Sequence, residues 1–417
     1  MRSTRRNFIR NLALSVGSIP SLSPLSFGPS ILEATDTSST TLQNASNKTL
    51  VVIQLMGGND GINTVVPYSD PGYYANRPTI ALQSNEILPI DGNIALNSQM
   101  TGIMNLWKSN RVGIVQGVSY PNPNLSHYEA TAIWESAAPD MPFTNGWLGR
   151  YLDVAETFGG APVRAIEVDS LPAQSLTGAS SQPLLVNNPA TLNIQPITTG
   201  DTTTVTAVNQ LNQIASCSAC EEYGILLNQV MQSGLDALSA STLVTQAASN
   251  YTPQVSYPND DFGNRLKLAA AMVTSNLNPK IVYLTLGGFD THANEKPVQN
   301  GLLKILSDGL SAFYADLSAQ GRENDTMIMT FSEFGRRVKE SGSAGTDHGT
   351  AEPQFVIGGQ VSPGLYGTYP SLTNLDPNGN LVWNLDFRQL YASVLEDWFG
   401  IPQTDVLDTT YEKISVV

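Results

Sequence analysis

Three short apolar runs, each ending at once in glycine and acid, constrain this chain most. T-L-V-V-I-Q-L at 49–55 runs into G-G-N-D-G, I-V-Y-L-T-L at 281–286 into G-G-F-D, and T-M-I-M-T-F at 326–331 into S-E-F-G. Continuous apolar segments this short suit strands buried on both faces. Further strands are predicted at 112–118, 163–168 and 354–357. Helical patterns fall between them at 96–110, from Ser126, and at 147–157, 262–277, 301–320 and 386–399. This alternation predicts an α/β domain whose mostly parallel sheet is covered by helices on both faces. Asp60, Asp290 with His292, and Glu333 each follow a strand directly. Open α/β sheets bind ligands at that carboxyl edge, so residues far apart in sequence are expected to converge there.

The chain has three histidines, and each sits in a polar motif: L-S-H-Y-E at His127, G-G-F-D-T-H at His292 and T-D-H-G-T at His348. Histidine is the commonest metal ligand and the side chain most easily poised for proton transfer near neutral pH. Asp60, Asp290, His292, Glu333, Asp347 and His348 are oxygen and imidazole donors with no thiolate among them. That set suits a divalent ion: zinc, manganese, calcium or iron. Asp290 and His292 are two apart and reach one side of an extended loop. Asp347 and His348 are adjacent, so one is expected to ligate while the other orients a ligand.

Ser126 and His127 head a helix. S-H-Y-E fits a capping box, with Ser126 as cap and Glu129 reaching back. The same hydroxyl lies where the helix N-terminus favours an alkoxide, which makes Ser126 a candidate nucleophile and His127 its neighbour in catalysis. Arg336 and Arg337 are candidates for an anion clamp. Asp386 and Arg388 read as a helix-capping acid and its partner. Neither Gly57-Gly58 nor Gly287-Gly288 is followed by G-K-[ST] or lies in G-x-G-x-x-G, which excludes a nucleotide loop.

The N-terminus reads M-R-S-T-R-R-N-F-I-R and continues into an apolar stretch broken by Gly17, Pro20 and Pro24. Arg5-Arg6 before Phe8-Ile9 is the pattern of a twin-arginine (Tat) export signal, assigned to 1–34. The stretch is too short and broken for a membrane span. A Ser/Thr/Asn-rich linker follows over 35–48, and 49–417 forms the main domain. Within it, 170–250 changes character and is expected to be an insertion or cap. Cys217 and Cys220 lie there, three apart on one helical face, either as a local disulfide or as a pair of thiols. A net charge of −15 excludes nucleic acid and anionic lipid as general partners.

The leader, L-M-G-G-N-D-G, L-S-H-Y-E, N-G-W-L-G-R-Y-L-D, G-G-F-D-T-H, F-S-E-F-G-R-R and G-T-D-H-G-T occur in this order over nearly the whole chain. Together they resemble the bacterial uncharacterised-domain family numbered 1501, grouped with the alkaline phosphatase and sulfatase superfamily. The resemblance implies a three-layer α/β/α domain with a two-metal hydrolase site at the carboxyl edge of the sheet. Asp60 would be the ligand after the first strand and Ser126 would stand at the nucleophile position. Asp290 and His292 would serve one ion, with Glu333 and His348 as later ligands. The chain departs from the superfamily in having Glu333-Phe334 where an Asp-His pair is usual, and in lacking C-x-P-x-R at Ser126.

The expectation is therefore an exported, metal-dependent hydrolase of a phosphate or sulfate ester, on a small-molecule or glycan substrate. It would be exported by the Tat machinery to the periplasm or cell surface. The rival is an exported binding or assembly protein that keeps the fold without turnover.

Overall fold

The computed structural model describes residues 47–156, 164–169, 172–181, 183–186 and 243–417. The leader at 1–34, nearly all of the linker, Cys217, Cys220 and most of the expected insertion lie outside the described residues. From the N-terminus the elements are β1 (Thr49–Met56), α1 (Gly61–Thr64), β2 (Val65–Val66), α2 (Pro71–Asn76), β3 (Ile87–Pro89), β4 (Ala95–Asn97) and α3 (Thr101–Lys108). Next come β5 (Val112–Ser119), α4 (His127–Ser136), α5 (Trp147–Glu156), β6 (Ala165–Glu167), β7 (Leu184–Leu185) and α6 (Asp261–Thr274). The rest is β8 (Ile281–Gly287), α7 (Glu295–Ala319), β9 (Thr326–Phe331), β10 (Glu352–Gly358), β11 (Gly364–Tyr366), β12 (Leu385–Asp386) and α8 (Phe387–Ser393).

The main sheet has the order β11-β5-β10-β9-β1-β8-β6-β7, with β12 beside β5. β1 lies parallel between β8 and β9, and β6 is parallel to β7 and β8. Only β10 runs against its neighbours, antiparallel to both β5 and β9. The sheet is thus mostly parallel, as the apolar runs predict. β7, inside the stretch expected as an insertion, pairs with β6 at the edge of this sheet.

Alternate residues of β1 serve opposite faces, as a strand's period of two requires. Val51, Ile53 and Leu55 pack with Ile103 of α3, Phe262 and Leu266 of α6 and Leu303 and Phe313 of α7. Leu50 and Val52 pack on the other side with Trp134 of α4, Trp147 and Leu148 of α5 and Tyr391 of α8. The result is three layers, helices–sheet–helices. A small antiparallel sheet, β2-β4-β3, joins the main core through Val65 and Leu96 and adds a further cluster around Ile62 and Tyr73.

The topology brings the polar motifs together. Met56 pairs with Gly287 and Gln54 with Phe331, so β1, β8 and β9 end side by side. β5 leads through a loop into α4 at the same edge. Because β10 is reversed, it starts there, with Glu352 beside Val118 near the end of β5. The loop carrying His348 therefore reaches the edge from the opposite chain direction.

Candidate metal centre and cleft

Asp290 is the hub of the site. Its Oδ1 stands 2.8 Å from Arg336 Nη2, 3.0 Å from His292 Nε2 and 3.3 Å from His348 Nε2. Its Oδ2 is 3.6 Å from His127 Nε2, and His292 Nε2 lies 3.1 Å from His348 Nε2. Two of the imidazoles are held from behind by a hydrogen bond at Nδ1, and the third faces a carboxylate there. His127 meets Glu333 Oε1 at 2.8 Å, His348 meets the Leu125 carbonyl at 2.8 Å, and His292 faces Asp347 Oδ1 at 3.5 Å. A carbonyl can only accept, so His348 Nδ1 carries the proton and its Nε2 presents a lone pair to Asp290. Phe334 packs its ring 4.9 Å from His127 and 4.4 Å from His348, which restricts both imidazoles.

The donor set fits a divalent ion. One donor atom each from His127, Asp290 and His348 lies within 4.8 Å of the others. Tetrahedral coordination at about 2.1 Å sets donor atoms roughly 3.4 Å apart. The Asp290, His292 and His348 donors, at 3.0–3.3 Å, are already close to that spacing. Lone pairs and a carboxylate facing one another repel unless a proton or a cation lies between them. The backing of imidazoles by Glu333 and Asp347 is the usual outer support of metal-binding histidine.

Electrostatics follow the same lines. Burial raises the Asp290 carboxyl, but the hydrogen bond and charge of Arg336 outweigh it and hold the group down at about 2. The hydrogen bond that His127 donates to Glu333 raises the pKa of that imidazole. His348 is lowered, mainly by burial.

Several residues expected in the site lie elsewhere. Asp60 does not join the cluster: it is fully buried, with Oδ2 2.5 Å from Arg77 Nη1 and Oδ1 2.9 Å from Nη2, and it caps α1. Burial works against its ionisation and Arg77 more than reverses that. Arg336 reaches the centre but is no surface clamp. Its buried guanidinium is bonded to the carbonyls of Gly57, Gly58, Phe289 and Thr346 as well as to Asp290. Arg337 is half-buried, and its carbonyl accepts from Arg77. Glu333 sits beneath His127, where Oε1 also accepts from the Gly57 N–H at 2.8 Å. Asp347 backs His292 from an exposed position.

Ser126 occupies the N-cap position of α4, yet its hydroxyl makes no capping bond. Asn124 Oδ1 accepts from Ser126 N at 2.8 Å, and Glu129 bonds the Asn124 amide rather than reaching back. The expected capping box is replaced by an asparagine turn, the competing local bond such residues favour.

The centre opens onto a cleft of about 560 Å³, whose walls include His127, Thr131, Glu135, Gln174, Asp290 and Glu333. That volume suits a small ligand. His127, Thr131 and Glu135 are spaced i, i+4, i+8 along α4 and so share one face, a pattern that was available in the sequence. Glu135 accepts from Tyr283 OH at 3.1 Å and from Gln174 N at 3.0 Å. Burial, aided by the nearby Glu333, pushes its carboxyl up to about 7 despite those bonds. No Lys or Arg is among the described residues that line the cleft.

Fold and site together define a mostly parallel α/β domain with a histidine–aspartate centre at the carboxyl edge of its sheet. The model of the family described as proteins of unknown function, DUF1501, matches residues 119–409, and the chain belongs to that family. No curated protein matches the sequence. Similar solved structures include the lipoteichoic acid synthase LtaP from Listeria monocytogenes, at 8% identity and TM-score 0.41, covering 92% of this chain and 79% of that one. A protein of the alkaline phosphatase superfamily from Vibrio parahaemolyticus aligns at 9% identity and TM-score 0.38, over 99% of this chain and 83% of that one. The C-terminal periplasmic domain of EcEptC from Escherichia coli, in complex with Zn, aligns at 9% identity and TM-score 0.37, over 75% and 73%. Overlaps this partial carry no information about the chemistry of the site. Among the described residues no helix is long and apolar enough to cross a membrane.

Proposed function

We propose that the chain is an exported, metal-dependent hydrolase of a phosphate or sulfate ester. The observation that carries this reading is the convergence of three imidazole Nε2 atoms on Asp290 at one end of the cleft, with His127 and His348 fixed from behind by hydrogen bonds. His127, Asp290, His292 and His348 would hold the ion. When bound, it supplies a Lewis acid for the anionic ester group, which finds no Lys or Arg on the cleft wall.

The remaining steps belong to the chain's own residues. Glu135, carried on the same face of α4 as His127, titrates near neutrality and so suits proton transfer in both directions. In this reading it takes a proton from the attacking water as the new phosphorus– or sulfur–oxygen bond forms. It returns the proton to the ester oxygen as the old bond breaks. Glu333 keeps His127 oriented. Ser126, with its hydroxyl uncommitted and outside the cleft wall, has no role in the step.

The test is metal analysis of the purified chain, followed by a screen on aryl phosphate, phosphodiester and sulfate esters with zinc, manganese, calcium and iron. Turnover is expected with metal and not after chelation. The double change His292→Ala and His348→Ala should remove both metal and turnover and lower the melting temperature, since an ion bound only by the folded state stabilises it. Ser126→Gly should keep activity. Wild type that stays metal-free, gains no thermal stability from any ion and hydrolyses nothing would transfer the case to a non-catalytic binding protein.

A further inference from the structure

Large apolar side chains that stand exposed are few among the described residues; two of them line this cleft and a third stacks on one of those. Met56 is 47% exposed, Tyr128 73%, Met141 66% and Phe143 59%. Met56 and Tyr128 belong to the cleft wall itself. Tyr128 and Phe143 stack on one another, with ring centroids 5.3 Å apart and planes 26° apart, so each keeps one face open.

The loop that presents Phe143 is anchored. The Gln174 side-chain amide donates to the carbonyls of Pro142 at 2.7 Å and Thr144 at 2.6 Å, one on each side of Phe143. The Gln174 backbone N–H is itself bonded to Glu135. The platform is therefore tied directly to the polar wall that carries the candidate acid–base group. Exposed apolar surface clustered at the rim of a polar cleft marks a binding site more often than scattered exposure does.

The cleft wall beside the platform narrows the choice of ligand. It offers Thr131, Glu135, Asp290 and Glu333, three carboxylates and a hydroxyl, and no Lys or Arg among its described residues. An anionic ligand body would meet like charge there. An uncharged polyol finds acceptors for its hydroxyls at Thr131 and the half-exposed Asp290 and an aromatic face for its C–H surface on the adjoining ring pair. We propose that Tyr128 and Phe143 form a stacking platform for an uncharged sugar ring, so that the ester presented to the centre is carried on a neutral glycan. The substrate assignment rests on the hydrolase reading above; the platform itself can be tested without it.

The experiment is calorimetric titration of the full chain with neutral β-glucan, xylan and chitin hexasaccharides and with sulfated counterparts, before and after chelation. Binding of at least one neutral oligosaccharide is expected, and it should survive chelation. Tyr128→Ala and Phe143→Ala should each weaken it about tenfold. Val298→Ala, an exposed apolar position on α7 across the sheet, should leave it unchanged. Circular dichroism melts identify any variant that fails to fold. Sugar binding with this dependence in a protein that hydrolyses no ester would leave the platform standing and remove only the hydrolase reading. Aryl ester hydrolysis with no neutral oligosaccharide bound, or equal affinity in wild type and both aromatic variants, would overturn the platform alone.

Discussion

Glu135 shows how one buried carboxyl links stability to chemistry. Burial holds its proton up to about pH 7, whereas an ordinary glutamate in the unfolded chain releases it near 4.5. A folded-state value raised in this way favours the fold while the proton is on. The contribution is complete below 4.5 and is lost as pH rises through 7. The shift corresponds to about 3 kcal/mol between the two protonation states. Glu135→Gln, which mimics the protonated form, should match wild type near pH 4.5 and exceed its stability by a few kcal/mol at pH 8. Glu167, itself raised to about 8 by burial with help from Glu135, sharpens the difference, because the variant also relieves it. Denaturant titrations of both proteins at pH 4.5, 6 and 8 make the comparison. Parallel curves across that range would show that Glu135 is already ionised at pH 6.

At the scale of elements, the turn after β1 sets the geometry of the centre. Gly57 and Gly58 have φ of 120° and 80°, and a Cβ on Gly58 would lie 2.4 Å from the Phe334 ring. That ring packs against both His127 and His348. Gly58→Ala should therefore cost about 2 kcal/mol in backbone strain and crowding and also weaken metal retention, because Phe334 must shift. Chemical denaturation together with metal content after dialysis would check both; a variant equal to wild type in each would mean that the turn tolerates a side chain.

The same scale explains what the sequence made legible. β1, β8 and β9 were readable almost to the residue because central strands buried on both faces leave continuous apolar runs. The small sheet was not, since strands of two or three residues leave no period, and part of an expected helix at 96–110 turned out to be β4. The helix expected from 301 begins at Glu295, whose acid and the following Pro297 suit a first turn. The last helix breaks after Ser393 into a π-helical turn, Val394–Trp398, with Asp386 capping its start and bonding Arg388 as read. Within the site, His127, Asp290, His292 and His348 stood out because each lies in an unusual polar motif. Asp60 looked identical in kind, and nothing near it in the sequence marked Arg77 as its buried partner. Arg336 was equally opaque, since the carbonyls of Gly57 and Gly58 that hold it come from nearly the other end of the chain.

For the whole molecule, the centre exists only once the sheet is assembled, because it joins α4 to the loops after β8 and before β10. An ion bound there would be acquired by the folded chain, before or after transport, and not by a thread passing through a pore. The twin-arginine leader proposed from the sequence would allow the first order of events, since that route carries folded proteins. Replacing Arg5 and Arg6 with Lys conserves charge while removing the pair that the export receptor reads. The double variant should accumulate in the cytoplasm as uncleaved precursor, folded and carrying whatever ion the cytoplasm offers. Fractionation followed by immunoblotting and metal analysis of the retained protein would measure both properties. Export at the wild-type level would remove the twin-arginine reading. Retention of a folded, metal-free precursor would instead keep that reading and place ion binding after transport.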